Sequence, residues 1–233
     1  MAIVSARDGL WLRAMSHGAV AGVEHLPVFG RIACQTVIDI GANRGQFALV
    51  ARHCFPDASV ISFEPLPGPA RVFRAVFGED SGVVLHEAAI GPQSENRTIN
   101  VSAHDDSSSL LPISQLQSEI FPGTESAGTL TVRTAPLGSF VSEDDIRTPA
   151  MLKLDVQGFE LEALRGCESL LPLFDWVYCE CSFVELYEGQ ALAGEVIDWL
   201  ALRGYMNAGV FNPTLDRSGR TIQADFLFRR GEP

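Results

Sequence analysis

One stretch of the chain, residues 36–63, restricts the possible folds more than any other. It places a β-branched run, a glycine turn, an amphipathic segment and a second apolar run in immediate succession. The first run, TVIDI, is apolar on both faces, which is typical of a parallel strand covered by helices. The amphipathic segment stops before Pro56 and repeats apolar residues at helical spacing: Phe47, Val50, Ala51 and Cys54. This order predicts a βαβ crossover.

The same alternation of strands and helices continues along most of the 233 residues. It predicts an α/β fold with an open, twisted, mostly parallel sheet, helices on both faces and an antiparallel strand pair at the C-terminus. We expect a single domain, residues 1–233, that begins with a helical segment, residues 1–34, and contains one strand over residues 83–90. Residues 92–149 interrupt the rhythm, and we expect an insertion there with a hairpin and a long lid loop.

Charge and cysteine content exclude several classes of function. The 17 Lys and Arg residues against 29 Asp and Glu give a net charge of −12, so we expect neither nucleic-acid nor anionic-membrane binding. No apolar run reaches the roughly 18 residues that a membrane span needs, and the N-terminus does not resemble a secretory signal. The five cysteines include no C-x-x-C pair and predict a reduced, cytoplasmic protein.

The turn after the first strand distinguishes between two nucleotide ligands. Unpaired N–H groups at a helix start bind anions, either the pyrophosphate of NAD or the methionyl carboxylate of S-adenosylmethionine. The dinucleotide fingerprint needs glycine at positions 41, 43 and 46, but this chain has Asn43 and Gln46. The pattern that remains, Asp39, Gly41 and Gly45, leaves room for a carboxylate and offers an acid to an amine. S-adenosylmethionine is therefore favoured over NAD.

Glu64 ends the second predicted strand of the crossover. A nucleotide-binding α/β sheet places a carboxylate there, where it accepts hydrogen bonds from both ribose hydroxyls. A strand-ending glutamate is also common as a solvated cap, and both interpretations remain open at this point.

Several segments, taken together, resemble the FkbM-type family of S-adenosylmethionine-dependent methyltransferases. The segments that carry the resemblance are VIDIGANRG at 37–45, FEP at 63–65, AIG at 89–91, SSSL at 107–110, LKLDVQGFE at 152–160, and ECSF at 180–183 with Leu186-Tyr187. Their order and spacing make the resemblance specific, and it extends from about residue 36 to the last strand.

The resemblance implies a class I methyltransferase fold, which is Rossmann-like, and methyl transfer to a hydroxyl of a small molecule, a sugar or glycolipid, or a polyketide-type metabolite. It implies S-adenosylmethionine as the cofactor. The residues expected to bind it lie after the first three strands, in the SSSL segment and at the reactive edge of the sheet: Asp39, Gly41, Asn43, Gly45, Glu64, Pro65, Glu87, Ala88, Ser109 and Asp155.

Methyl transfer to an alcohol needs the acceptor oxygen held in line with the S–CH₃ bond and a group that removes its proton. Ligands of an open α/β sheet bind beyond the carboxyl ends of the strands, where the sequence places Asp155 and Glu180. Asp155 is the first candidate for base or acceptor orienter, with a helix cap as the alternative. Glu180 either lines the cleft or pairs with a group such as Lys153. His104 is a candidate base on the lid, unless that loop is merely solvated.

Two other functions remain open from the sequence: an NAD(P)-dependent oxidoreductase and a non-catalytic nucleotide-binding α/β module. We expect no metal ion, because the acidic residues show no spacing that requires one. The expected partner is a hydroxyl-bearing small molecule or glycan, and self-association into a homo-oligomer is compatible with the sequence.

Overall fold

The N-terminal part of the chain covers one face of the sheet with short helices. The computed structural model describes residues 9–231, so the remaining residues of the expected helical segment, 1–8, lie outside the described part. Helices α1 (Gly9–Ser16) and α2 (Leu26–Phe29) flank a single 3-10 turn at Val23–His25. Buried side chains from α1 and α2 join the apolar core on this face.

The βαβ crossover predicted from the sequence is present. It consists of β1 (Thr36–Ile40), α3 (Gln46–Cys54) and β2 (Ser59–Phe63), with β1 and β2 parallel. All five residues of β1 are buried, as the apolar run predicts. Helix α4 (Pro67–Phe77) then leads to β3 (Val83–His86), which pairs parallel with β2.

A second, three-stranded sheet occupies most of the region predicted as an insertion. Its strands are β4 (Ala89–Ile90), β5 (Glu95–Ser102) and β6 (Ser126–Ala135), in the order β4-β6-β5, with β5 antiparallel to β6. The connection between β5 and β6 contains α5 (Gln115–Ile120). The expectation of one strand over residues 83–90 is wrong, because the last two residues leave the large sheet and pair with β6 instead.

The C-terminal half returns to the alternating pattern. It contains β7 (Ala150–Leu154), α6 (Glu160–Gly166), β8 (Trp176–Ser182), α7 (Ala193–Ala201), β9 (Tyr205–Leu215) and β10 (Thr221–Arg230). Strand β7 pairs parallel with both β1 and β8. Strands β9 and β10 form an antiparallel hairpin, and β10 also runs antiparallel to β8. The predicted antiparallel pair at the C-terminus is confirmed.

The strand order of the large sheet, β3-β2-β1-β7-β8-β10-β9, fixes where a ligand can bind. The chain runs from β1 toward one edge and later restarts at β7 toward the other, so the order reverses between these two neighbours. Helices α1 to α4 pack on one face, whereas α6, α7 and the second sheet pack on the other. In open α/β sheets the crevice at such a reversal, outside the carboxyl ends of the strands, is the usual binding site.

Candidate active site

A cavity of about 660 Å³ lies at the carboxyl ends of β1 and β7, where the strand order reverses. This volume is within the range of small-molecule sites. Seven of the residues predicted for the site line it: Gly41, Asn43, Glu64, Pro65, Ala88, His104 and Asp155. Five others do not belong to its wall: Asp39, Gly45, Glu87, Ser109 and Glu180. The structure therefore brings residues of both predicted halves, cofactor and acceptor, into one space.

The glycine turn after β1 is closed by its own hydrogen bonds. Every backbone N–H from residue 41 to residue 45 already has a protein acceptor. These are the Phe63 carbonyl for residues 41 and 42, Glu64 Oε2 for 43, Asn43 Oδ1 for 44 and the Ala42 carbonyl for 45, at 2.8–3.0 Å. The hypothesis that these N–H groups bind a methionyl carboxylate is therefore not supported, because none of them is unpaired.

Gly45 is needed to bring α3 against α4. Its φ is +92°, and a Cβ there would lie 2.4 Å from Cε2 of Phe77. Gly45 thus supports the turn from behind and does not line the cavity.

Asp39 lies beneath the turn, fully buried on the face of the sheet covered by α3. Its Oδ1 is 3.0 Å from Nζ of Lys153, although neither carboxylate oxygen accepts a well-aligned hydrogen bond. Lys153 also donates to the Gly41 carbonyl at 2.9 Å. Burial by itself lowers the pKa of Lys153, but Asp39 and Asp155 outweigh it and the net pKa is raised. Asp39 therefore positions Lys153, and Lys153 in turn stabilises the glycine turn through the Gly41 carbonyl. Asp39 does not face a ligand amine.

Glu64 is buried in the cavity wall and is not a solvated cap. Its Oε1 accepts the N–H of Leu66 at 2.7 Å and its Oε2 accepts the N–H of Asn43 at 2.9 Å. Burial raises the pKa of this carboxyl to about 7, although both N–H groups act in the opposite direction. A carboxylate has about four lone-pair positions, so two remain for further donors.

The adenine side of the predicted site is apolar. Ala88 lines it together with Phe63, Leu66 and Ile90. Glu87, by contrast, points outward and forms an ion pair with Arg74. Glu87 does not line the cavity, because β3 ends at His86 and the polypeptide then turns toward the second sheet.

The serine segment contributes residues other than Ser109. Ser109 is buried, where its Oγ donates to the Gln157 carbonyl at 2.6 Å and accepts the Leu111 N–H at 3.0 Å. Ser107 and Ser108 line the cavity instead. Ser109 therefore fixes this segment to the loop after β7.

Asp155 follows β7 and is 40% exposed in the cavity wall. Its Oδ1 accepts a hydrogen bond from Gln157 Nε2 at 2.7 Å, and its Oδ2 is 3.9 Å from Lys153 Nζ. Gln157 has a φ of +56°, an unusual value for a residue other than glycine. Backbone strain of this kind is concentrated at functional sites.

Glu180 lies behind the cavity wall. It accepts hydrogen bonds from Gln223 Nε2 at 2.7 Å and Gln157 Nε2 at 3.2 Å, and both glutamines line the cavity. Burial, and then the neighbouring Asp155 and Asp225 carboxylates, raise its pKa well above the usual range. The alternative of a pair between Glu180 and Lys153 does not apply, since Lys153 pairs with Asp39. Glu180 positions the two glutamines, and a neutral carboxyl is a poor base.

The lid is the segment from His104 to Ser108, which joins the cavity wall from the side of the second sheet. His104 is exposed and packs against Gly123. Asp105 forms an ion pair with Arg44 of the glycine turn at 2.6 Å. The lid is thus fastened to the turn in this structure, with His104 at the rim of the cavity.

The comparisons with known proteins decide the family. The chain matches the family described as Methyltransferase FkbM domain over residues 39–206, more than two thirds of its length.

The chain belongs to the FkbM methyltransferase domain family.

Curated relatives of this FkbM domain include three with named activities. The 2-O-methyltransferase NoeI of Sinorhizobium fredii is 29% identical over 70% of each chain. The 31-O-demethyl-FK506 methyltransferase FkbM of Streptomyces tacrolimicus is 27% identical over 72% of each chain. The hexuronic acid methyltransferase AglP of Haloferax volcanii is 26% identical over 61% of this chain and 54% of the relative.

A solved structure shares the fold of the FkbM domain. It is a Klebsiella pneumoniae protein assigned as an O-methyltransferase, with a TM-score of 0.51 and 14% identity, covering 97% of this chain and 89% of that one. Together with the observed strand order, this confirms the class I methyltransferase fold. In residues 9–231, helices of the length and apolar character that a membrane span requires are absent.

The cavity residues that sequence reasoning missed include His25, Lys153, Gln157 and Gln223. Lys153 precedes Asp155 by two positions, so strand alternation places both on one face, and this signal could have revealed it. Gln157 stands beside a glycine at the end of a strand, which is a weaker signal. No sequence signal indicated His25 or Gln223. The turn that contains His25 and the strand β10 that contains Gln223 come near the site only because of the order of strands in the sheet.

Proposed function

We propose that this chain transfers a methyl group from S-adenosylmethionine to a hydroxyl oxygen. One observation carries the proposal: Glu64 and Asp155 line the same cavity. Glu64 stands at the end of β2, where ribose hydroxyls bind in nucleotide-binding sheets, and Asp155 stands one strand beyond β1. A nucleoside held at Glu64 therefore extends toward Asp155.

The residues present fit S-adenosylmethionine. Glu64 has free lone pairs for two ribose hydroxyls, and the apolar wall around Ala88 and Ile90 suits an adenine ring. Since the N–H groups of the turn are used internally, we assign the contacts of the methionyl carboxylate to the side-chain donors of Asn43, Ser107 and Ser108. The sulfonium methyl group, when bound, supplies an electrophilic carbon.

The acceptor binds at the other side of the cavity, around Asp155. Its carboxylate is held in place by Gln157 and accepts a hydrogen bond from a second hydroxyl of the acceptor, next to the reacting one, which aligns the reacting oxygen with the methyl carbon. The lid closes this space from above and limits the access of water.

The residues of the cavity wall and the names of the relatives support a proposal for the class of acceptor. The relatives are named as a 2-O-methyltransferase, a 31-O-demethyl-FK506 methyltransferase and a hexuronic acid methyltransferase. In this chain the wall carries Glu24, Asp105, Asp106 and Asp155 beside several amides. Carboxylates and amides accept and donate hydrogen bonds to hydroxyl groups but repel an anion. We therefore favour a neutral polyhydroxylated sugar or polyketide over a uronic acid.

We also propose that the reaction takes place in the cytoplasm. All five cysteines are free thiols, which supports a reducing compartment.

Ligand binding and methyl transfer test this proposal in turn. S-adenosylhomocysteine should raise the melting temperature of the protein, whereas NAD should leave it unchanged. Labelled methyl donor should then modify a neutral glycoside or a macrolactone in a panel that also contains uronic acids. A shift with NAD alone would support the oxidoreductase, and no shift with either ligand would support a non-catalytic module.

A further inference from the structure

A partly buried network of polar groups leads from β10 to the cavity. Tyr178 on β8 donates its hydroxyl hydrogen to Oδ2 of Asp225 at 2.8 Å. Asn212 Nδ2 donates to the same carboxylate oxygen at 2.8 Å. Nδ1 of His25 lies 3.0 Å from the Tyr178 oxygen and 3.7 Å from Asp225 Oδ2. This network of polar groups therefore ends at a histidine, His25, that lines the cavity.

This arrangement fixes the tautomer of His25. Because Tyr178 gives its only hydroxyl hydrogen to Asp225, it can only accept a hydrogen bond from the imidazole. Nδ1 of His25 therefore carries the hydrogen and Nε2 has a free lone pair. Nδ1 points toward the sheet, so Nε2 lies on the side of the ring turned away from Tyr178.

The imidazole is held rigidly at this position. Its ring packs edge-on against Phe47 at 5.1 Å and against Tyr178 at 5.5 Å between centroids. Only 17% of the His25 side chain is exposed. Burial lowers the pKa of His25, and Lys153 acts in the same direction, against the carboxylates of Asp225, Glu24 and Asp155. The ring is therefore neutral at physiological pH.

The neighbours of His25 also suit the protonated form during a reaction. Asp225 lies at 3.7 Å from Nδ1, and Glu24 Oε1 lies at 3.7 Å from Nε2. The positive charge of the protonated ring is thus stabilised by a carboxylate near each of its two nitrogens. The orientation of a histidine by a buried carboxylate is the logic of general-base sites in other enzymes.

We propose that His25 is the general base of methyl transfer, with Tyr178 and Asp225 as positioning residues; this rests on the proposed function. A lone pair of the acceptor hydroxyl oxygen forms the bond to the methyl carbon as the carbon–sulfur bond breaks and leaves its electron pair on sulfur. The hydroxyl proton passes to Nε2 of His25. The products are the methyl ether, S-adenosylhomocysteine and an imidazolium, which then loses its proton to solvent.

This assignment separates two tasks within the cavity. Asp155 orients the acceptor through a hydroxyl next to the reacting one, while His25 removes the proton of the reacting hydroxyl. Both His25 and Asp225 lie outside the segment matched to the family, residues 39–206, so the pair belongs to what surrounds the shared domain.

The tautomer can be measured without an acceptor. Two-bond ¹H–¹⁵N spectra of the full-length protein, recorded from pH 5 to pH 8, should show His25 hydrogen on Nδ1 at pH 8 and a pKa below 6.5. Tyr178→Phe should abolish the preference for the Nδ1–H form, because the acceptor oxygen is removed. A wild-type ring with hydrogen on Nε2 at pH 8 would overturn the proposal.

Turnover measures the second half of the proposal. With an acceptor from the glycoside and macrolactone panel, His25→Gln should lower kcat by about 100-fold or more and remove the acidic limb of the pH–rate profile. The affinity for S-adenosylhomocysteine should stay within twofold. Asp225→Asn should shift that limb, and His17→Gln, an exposed histidine of the same N-terminal segment, should change nothing.

The two proposals fail in different ways. If S-adenosylhomocysteine does not bind, the proposed function fails while the ring spectrum still decides the tautomer. If methyl transfer proceeds and His25→Gln keeps the wild-type rate and pH profile, the general-base assignment alone is wrong.

Discussion

A Cβ atom on Gly41 would lie 1.8 Å from the carbonyl oxygen of Asp155. The end of β1 and the end of β7 therefore touch through bare backbone, at the point where the strand order of the sheet reverses. The φ of Gly41, +80°, adds a second reason for glycine. This contact sets the distance between the cofactor wall and the acceptor wall of the cavity.

Gly41→Ala should separate these two loops. The new methyl group collides with a backbone atom that cannot rotate away, so we expect loss of S-adenosylhomocysteine binding and a lower melting temperature. Gly194→Ala is the matched control, since a Cβ there meets nothing within 4 Å. Replacing a helical glycine by alanine typically raises the free energy of unfolding by about 0.5–1 kcal/mol. Calorimetric titration of both variants measures the difference. Wild-type affinity in Gly41→Ala would show that the loops tolerate separation.

Glu64 should make ligand affinity depend on pH. Its pKa of about 7 in the unliganded protein means that ribose hydroxyls meet a charged acceptor above pH 7 and a mostly neutral one below it. The dissociation constant for S-adenosylhomocysteine should therefore rise as pH falls from 8 to 6. Glu64→Gln should bind about tenfold or more weakly at pH 8 and with little pH dependence, because hydrogen bonds to charged groups contribute about 1.5–3 kcal/mol. Equal affinities at pH 8 would remove the ribose role.

Lys153→Met should strongly destabilise the fold, because it leaves the Asp39 carboxylate buried without a partner. Breaking a buried ion pair on one side costs about 3–5 kcal/mol. The double variant Lys153→Met with Asp39→Asn should recover part of this loss, since no buried charge then remains unpaired. Glu162→Gln, which breaks a more exposed pair with Arg165, should cost less than about 1 kcal/mol. Urea unfolding of the four proteins tests the expectation, and equal losses for Lys153→Met and Glu162→Gln would contradict it.

Glu160 should make stability fall as pH rises. Burial raises its pKa from 4.5 to about 7, so between these values the folded protein binds more protons than the unfolded chain. The free energy of unfolding therefore decreases with increasing pH in this window. Glu160→Gln keeps the oxygen that accepts the N–H groups of Val156 and Gly158, so it should match the wild type near pH 5 and exceed it above pH 7. Glu160→Ala should be less stable at every pH. If the free energy of unfolding varied with pH in the same way in the wild type and in Glu160→Gln, the raised pKa of Glu160 would be contradicted.

Asp155→Asn should lower turnover more than ligand binding. An amide oxygen still accepts a hydrogen bond from the hydroxyl next to the reacting one, but without charge, so we expect a loss of about 10- to 100-fold in kcat. Affinity for S-adenosylhomocysteine should stay within twofold. Initial rates with an acceptor from the panel measure the effect, and an unchanged rate would assign Asp155 a structural role.

The sequence by itself predicted the class of fold and the family. Alternating apolar runs and glycine turns report burial and local backbone geometry, which are properties of neighbouring residues. They were sufficient for the parallel sheet, its antiparallel C-terminal pair and the position of Glu64 at the end of β2. They were not sufficient for β4, because a two-residue continuation of an apolar run does not indicate which sheet it joins.

The tertiary structure alone decided which polar groups meet. Asp39 pairs with Lys153 across neighbouring strands, Glu180 holds two glutamines, and His25 reaches Tyr178 across 153 positions of the chain. Such contacts depend on strand order, and strand order depends on how the whole apolar surface is buried. A local pattern can place a carboxylate at the end of a strand, but only the assembled sheet determines the partner that fixes its charge.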